Sequence, residues 1–132
     1  MPPADQLRSR VRDKLAEQRK LVQSLLALRE QLQGSLFARY GECGKESCLC
    51  RTGKRHGPYY VFSQRSGGKG AFAYLEGARV AEARVLVSRS RAFRDGMRQL
   101  KKVNLELVGL LRRYRSTMVR KGGQRLKSFA TR

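Results

Sequence analysis

The chain has 132 residues, and thirty lysines and arginines against ten carboxylates leave it a net charge of +20. No run approaches eighteen apolar residues, which excludes a membrane span, and the charged start MPPADQLRSRVRDKL lacks the apolar stretch of a secretory signal. Tryptophan is absent and aromatics make up 8% of the chain, so long helices packing pairwise are expected in place of one large core, and the cation excess marks a polyanion partner or an anionic surface.

Residues 1–34 read as an N-terminal helix. Pro2 and Pro3 suit a first turn, and Asp5 complements the positive end of the helix dipole. A 3-then-4 spacing runs through Ala4, Leu7, Val11, Lys14, Gln18, Leu21, Leu25, Leu28 and Leu32, with Gly34 as the predicted stop. The seam is strong from Leu21 to Leu32 and interrupted by Lys14 and Gln18.

Residues 35–77 change pattern. SLFARY (35–40), YYVFSQ (59–64) and AFAYL (71–75) are strand-like, and RSGGKG between the last two predicts a β-hairpin over 59–75. Alternation puts Tyr60 and Phe62 on one face of their strand and Phe72 and Tyr74 on one face of the other. Between the first two strands lies CGKESCLCRTGKRHGPYY, which holds every cysteine and the single histidine of the chain. Cys43, Cys48, Cys50 and His56 have the spacing C-x4-C-x-C-x5-H, and three thiolates with one imidazole suffice for a tetrahedral structural Zn²⁺. Gly44, Gly53 and Gly57 would let the backbone close around an ion. The competing reading is three thiols and an exposed histidine with no metal. A redox role has less support, because C-x-C is not the C-x-x-C of dithiol oxidoreductases. An odd cysteine count cannot close a disulfide framework, which fits a reducing cytoplasm.

Residues 78–121 read as a long basic helix. Leu86, Phe93, Leu100, Leu107 and Tyr114 fall seven apart, and Ala83, Ser90, Met97, Asn104, Leu111 and Met118 form a second sevenfold row offset by four. Asn104 is either a solvated residue or a register-fixing polar residue in the seam. Gly122-Gly123 predicts the helix end, leaving 122–132 as a flexible basic tail. The fold class expected is therefore mainly α with a small β element. Two long helices form an antiparallel coiled-coil-like pair, with a zinc-knuckle and β-hairpin tip between them, and the seam closes within one chain or between two copies.

The run CGKESCLC followed by HGPYYVF and a glycine-rich hairpin resembles a family of small, largely uncharacterised prokaryotic proteins with the pattern C-G-K-x-x-C-x-C and then H-G-P-Y-Y. The resemblance covers roughly residues 34–111. It implies that Cys43, Cys48, Cys50 and His56 are metal ligands, and it implies a setting near mobile elements and transposase-like genes.

Charge is concentrated at the C-terminal end: residues 78–132 carry sixteen cations against three carboxylates, net +13, while 1–34 carry net +3 and 35–77 net +4. Arg84, Arg91 and Arg98 fall seven apart, Arg94 and Lys101 follow three residues behind, and Arg112 and Arg115 continue the row. Seven helical residues rise about 10 Å, a spacing that follows a phosphate backbone without reading bases. Arg51, Lys54, Arg55, Arg65 and Lys69 surround the cysteine cluster and the hairpin turn. Tyr59, Tyr60 and Tyr74 offer rings that could stack on unpaired bases, and the competing reading is that Tyr60, Phe62, Phe72 and Tyr74 form a minicore covering the zinc site. Together these features predict a non-enzymatic, zinc-stabilised DNA-binding protein of the cytoplasm, associated with the nucleoid and accessory to a recombinase or transposase. An RNA-binding factor and a coiled-coil protein adaptor are the alternatives. Neither an acidic cluster for a two-metal nuclease nor a serine–histidine arrangement is visible.

Overall fold

The computed structural model describes residues 3–41, 45, 47–49, 53, 55–66 and 69–130, and at 65, 66, 69, 71 and 130 the description is of the backbone. The order is α1 (Ala4–Leu26), β1 (Ser35–Gly41), β2 (His56–Ser66), β3 (Lys69–Leu75) and α2 (Ala78–Ala130). The chain is thus mainly helical, with two helices and one small antiparallel sheet in the order β1-β2-β3. It divides into two compact units. One comprises residues 1–27 and 94–132, the other residues 28–93.

In the helical unit α1 and the C-terminal part of α2 run in opposite directions. Arg8 donates to the Tyr114 hydroxyl at 2.9 Å, Gln18 Nε2 donates to Asn104 Oδ1 at 2.7 Å, and Lys14 pairs with Glu106. Leu25 meets α2 at Gly96. Position rises along one helix as it falls along the other. Ala4, Leu7, Leu25, Val103 and Leu110 are buried.

The row of residues turned inward on α2 differs from the expected one. Leu100, Leu107 and Tyr114 are half-buried as expected, but the deeper positions between them are Val103 and Leu110, with Gly96 on the same row. Met97 and Leu111 are exposed instead. Both rows make a 3-4 pattern with Leu100 and Leu107, so spacing alone does not choose between them. The close approach at Gly96 does: a Cβ there would lie 2.5 Å from Leu25 Cδ2. Asn104 accordingly sits half-buried at the flank, satisfied by Gln18.

Two helix ends are also corrected. α1 stops at Leu26, eight residues before Gly34, and Arg29 has a positive φ of 30°. The apolar period continues through Leu28 and Leu32, but Leu32 uses its amide to donate to the Leu86 carbonyl at 3.0 Å, inside the sheet unit. Tertiary packing overrides the period there. At the other end, α2 passes through Gly122 and Gly123 to Ala130 where a stop at 121 was expected. Each glycine costs about 1 kcal/mol in a helix, too little to end one flanked by Arg120, Lys121, Gln124, Arg125 and Lys127.

In the sheet unit β2 is the central strand. Leu36 pairs with Phe62 and Ala38 with Tyr60 on one side, and Phe62 pairs with Ala73 and Tyr60 with Leu75 on the other. These residues share one sheet face, and residues 78–91 of α2 lie against it: Phe62 and Leu75 line one cleft with Ala83 and Leu86, and Leu36 and Tyr60 line another with Val87. Val80, Ala83, Val87 and Phe62 are buried in this core. The strands outrun their predicted limits, since β2 begins at His56 and extends to Ser66, opposite Lys69.

Two glycines of the helical unit give opposite expectations. Gly96→Val should lower stability by about 1–3 kcal/mol by crowding buried Leu25. Gly109→Ala, with nothing described within 4 Å of its Cβ position, should raise stability by up to about 1 kcal/mol. Urea unfolding of both variants checks this, and equal midpoints would contradict the close approach.

Candidate metal and nucleic-acid sites

The start of β2 delivers a donor pair. His56 is strand-paired with Gly41, the last residue of β1, after a register shift between Arg39 and Gly41. Gly57 follows at φ +136°, a conformation that other residues rarely adopt. A side chain there would also run into the Arg39 carbonyl, at 2.8 Å, and the Tyr40 ring. Within the connection between the two strands, half-buried Cys48 places Sγ 3.0 Å from Nε2 of half-buried His56. Two of the four sequence-predicted ligands therefore meet. Thiolate and imidazole ligands about 2.3 Å and 2.0–2.1 Å from a tetrahedral zinc stand about 3.6 Å from each other, so the pair opens by a few tenths of an ångström to become one edge of such a site. This donor chemistry fits Zn²⁺. Cys43, Cys50, Arg51 and Lys54 lie outside the described residues.

The remaining predicted contact residues separate into two groups. In the sheet unit, Arg55 is exposed just before β2, and the backbones of Arg65 and Lys69 belong to β2 and β3, with Arg65 paired to Gly70 and Lys69 to Ser66. Tyr60 is half-buried on the face toward α2, with the Arg84 guanidinium 5.4 Å from its ring centroid, a cation–π contact. Arg84 and Arg91 are exposed and line a cleft with Leu36, Ala38 and Tyr60. In the helical unit Arg94, Arg98 and Lys101 are exposed on α2, and Arg98 lies 3.8 Å from Asp95.

Three carboxylates of the helical unit, Glu17, Asp95 and Glu106, stand in ion-pair contact across or along the helices. Glu106 and Glu17 both take Lys14 as partner. The hydrogen bond with Glu106, reinforced by that with Glu17, holds the Lys14 ammonium above its ordinary pKa, and the same bond from Lys14 holds Glu106 below the usual carboxylate range. Of the three carboxylates on α2, Glu106 is thus committed to a cation of α1. The cations of α2 outnumber what remains on their own helix.

Sequence reasoning treated the aromatics of the hairpin as stacking surfaces or a minicore without separating the two sheet faces. The pairing separates them. Val61 stands opposite Phe37 on one side and Tyr74 on the other, Tyr59 stands opposite Arg39, and Ser63 stands opposite Phe72. Phe37, Tyr59, Phe72 and Tyr74 therefore share the face turned away from α2, and all four are exposed. Phe62 and, in part, Tyr60 are core residues, but of a core formed against α2, whereas Phe72 and Tyr74 of the expected minicore are exposed. A sequence signal for this was present: counting outward from a two-residue Gly67-Gly68 loop puts Ser63 opposite Phe72 and Val61 opposite Tyr74.

An α+β protein with a Cys–His pair at the mouth of a three-stranded sheet is the class these features define. The chain belongs to the family described as Domain of unknown function (DUF6788), whose model matches residues 6–85. That match takes in α1 from Gln6 on, the whole sheet, the cysteine–histidine segment and the first turns of α2. It ends before Arg91 and the cations that follow. No curated protein and no solved structure matches the chain. No described helix is long and apolar enough to cross a membrane.

Proposed function

We propose that the chain is a non-enzymatic, zinc-stabilised DNA-binding protein whose long basic helix lies on phosphates. The observation that carries the reading is the charge of α2. Residues 78–130 bear fifteen cations and three carboxylates, and one of those carboxylates, Glu106, is taken by Lys14. A helix this one-sided in charge needs an external anion, and duplex DNA supplies one charge per about 1.7 Å of its axis. Arg94, Arg98 and Lys101 recur at four- and three-residue spacing and keep to one side of the helix. In this reading α1 and the part of α2 that faces it form an antiparallel, coiled-coil-like pair, and the connection between β1 and β2 is a zinc knuckle. Association with the nucleoid, and with a recombinase or transposase, follows from the same resemblance and charge.

The metal belongs to the connection between β1 and β2. Cys48 and His56 are in contact, Cys43 follows Gly41, the strand partner of His56, by two residues, and Cys50 follows Cys48 by two. A bound Zn²⁺ would supply structural cross-linking of this connection, with all four ligands from protein and no open position for catalysis. Among the described carboxylates, Glu17, Glu106, Asp95 and Glu30 stand in ion-pair contact with Lys14, Arg98 and Arg89.

Protein purified without chelator should carry about one zinc ion per chain, and Cys48→Ser or His56→Ala should lose most of it. Elemental analysis decides, and a folded parent protein without metal would contradict the site. For DNA, the variant with Arg94, Arg98 and Lys101 all changed to Gln should weaken binding to every duplex alike. It should also flatten the log–log salt dependence by roughly two to three units, about one per phosphate contact. Anisotropy titrations over a salt series measure this, and an unchanged slope would reduce the row to a solvated face.

A further inference from the structure

The sheet face turned away from α2 has no described cover, and its composition is unusual for a surface. Phe72 is 69% exposed, Tyr74 65%, Tyr59 48% and Phe37 42%, while Val61 in their midst is 2% exposed. The rings stand on three strands around one buried valine, since Val61 is the direct cross-strand neighbour of both Phe37 and Tyr74. Phe72 and Tyr74 are two positions apart on β3, about 6.8 Å along the strand, so each ring can meet a separate flat group. Arg39 stands on the same face opposite Tyr59, and Arg39, Tyr59 and Tyr74 line a common cleft. Among the described strand residues of this face there is no carboxylate, and Glu76 is the acidic residue at the rim of that cleft.

We propose that this open face is a stacking platform for the unpaired bases of single-stranded DNA. The inference rests on the reading of DNA as the partner and adds what the phosphate row does not provide, a way to hold bases. Rings offer flat surfaces matched to bases, and an aromatic sheet in a cationic protein combines stacking with backbone attraction. The chemistry of the face decides against other occupants. A second copy of the chain would bring a surface belonging to another molecule of charge +20, and that repulsion opposes face-to-face pairing. An aliphatic protein partner would not require that four of the exposed side chains be aromatic. Duplex DNA hides its base faces inside the stack, so a flat platform of rings gains nothing from it.

The test uses the full chain with three fluorescent probes: single-stranded oligothymidine, oligouridine of the same length, and a duplex. Phe72 and Tyr74 are exposed, so Phe72→Ala and Tyr74→Ala should leave the fold in place, which circular dichroism and melting confirm. The parent should bind oligothymidine, and each substitution should weaken that binding by roughly five- to a hundredfold while leaving duplex affinity and its salt slope unchanged. Phe72→Leu and Tyr74→Leu should weaken it nearly as much, because they keep apolar bulk and lose the ring. Oligothymidine binding that survives all four substitutions overturns the platform while the phosphate reading stands. Tight binding of oligouridine without oligothymidine overturns it in favour of RNA. A concentration-dependent dimer that the substitutions dissolve overturns it in favour of a second copy. Failure of the parent to bind any of the three probes overturns this inference and the DNA reading together.

Discussion

The register of β2 against its two neighbours is the constraint on which the sheet unit depends. Side chains alternate along a strand, so a slip of one residue would exchange the two faces. In the observed register Phe62 and Tyr60 turn toward α2, with Leu36, Ala38, Ala73 and Leu75 beside them. The same register sends Val61 to the opposite side beneath Phe37 and Tyr74. Beyond Arg39 the register shifts by one residue, and that shift brings His56 level with Gly41, the residue from which the cysteine-bearing connection departs. One alignment thus sets the core and the open aromatic face, and the shift at its end sets the position of the histidine. Gly57 protects it locally, because any larger residue there would meet the β1 backbone at Arg39.

The helical unit is held by different means. Its contacts are partly polar, Arg8 with Tyr114, Gln18 with Asn104 and Lys14 with Glu106, and its buried apolar set is small. Such a pair gains specificity of alignment from the polar contacts and close approach from Gly96. The exposed ion pairs add little to stability. Their consequence for function is electrostatic: by engaging Glu106 from the other helix, Lys14 removes a carboxylate that would otherwise offset the cations of α2. Phosphate affinity, in the proposed reading, comes from that imbalance.

Much of this organisation was legible in the sequence. Pro2-Pro3 and the apolar spacing from Ala4 gave the start of α1, RSGGKG gave the hairpin, and the clustering of Cys48 with His56 gave a contact that the structure contains. The errors came where two patterns were equally allowed. Leu28 and Leu32 continue a helical period but are used by the sheet unit, and no local signal distinguishes those uses. The rows through Val103 and Asn104 fit the same heptads, and only the partner surface at Leu25 chooses between them. Gly122-Gly123 is a strong stop signal on paper, yet its cost is small beside that of its helix-forming neighbours unwinding. The open aromatic face was hidden for another reason: alternation assigns faces within a strand, and the relation between strands needs the loop length.

In the proposed reading the two sheet faces have different roles, and photochemical cross-linking examines this directly. Irradiating the full chain with oligothymidine and mapping the adducts by mass spectrometry reads out which rings touch bases. Adducts on Tyr59, Phe72 and Tyr74, with Tyr60 unmodified beneath Arg84, are the expected result. Adducts on Tyr60 with the open-face rings untouched, or adducts confined to residues outside the sheet, would contradict it.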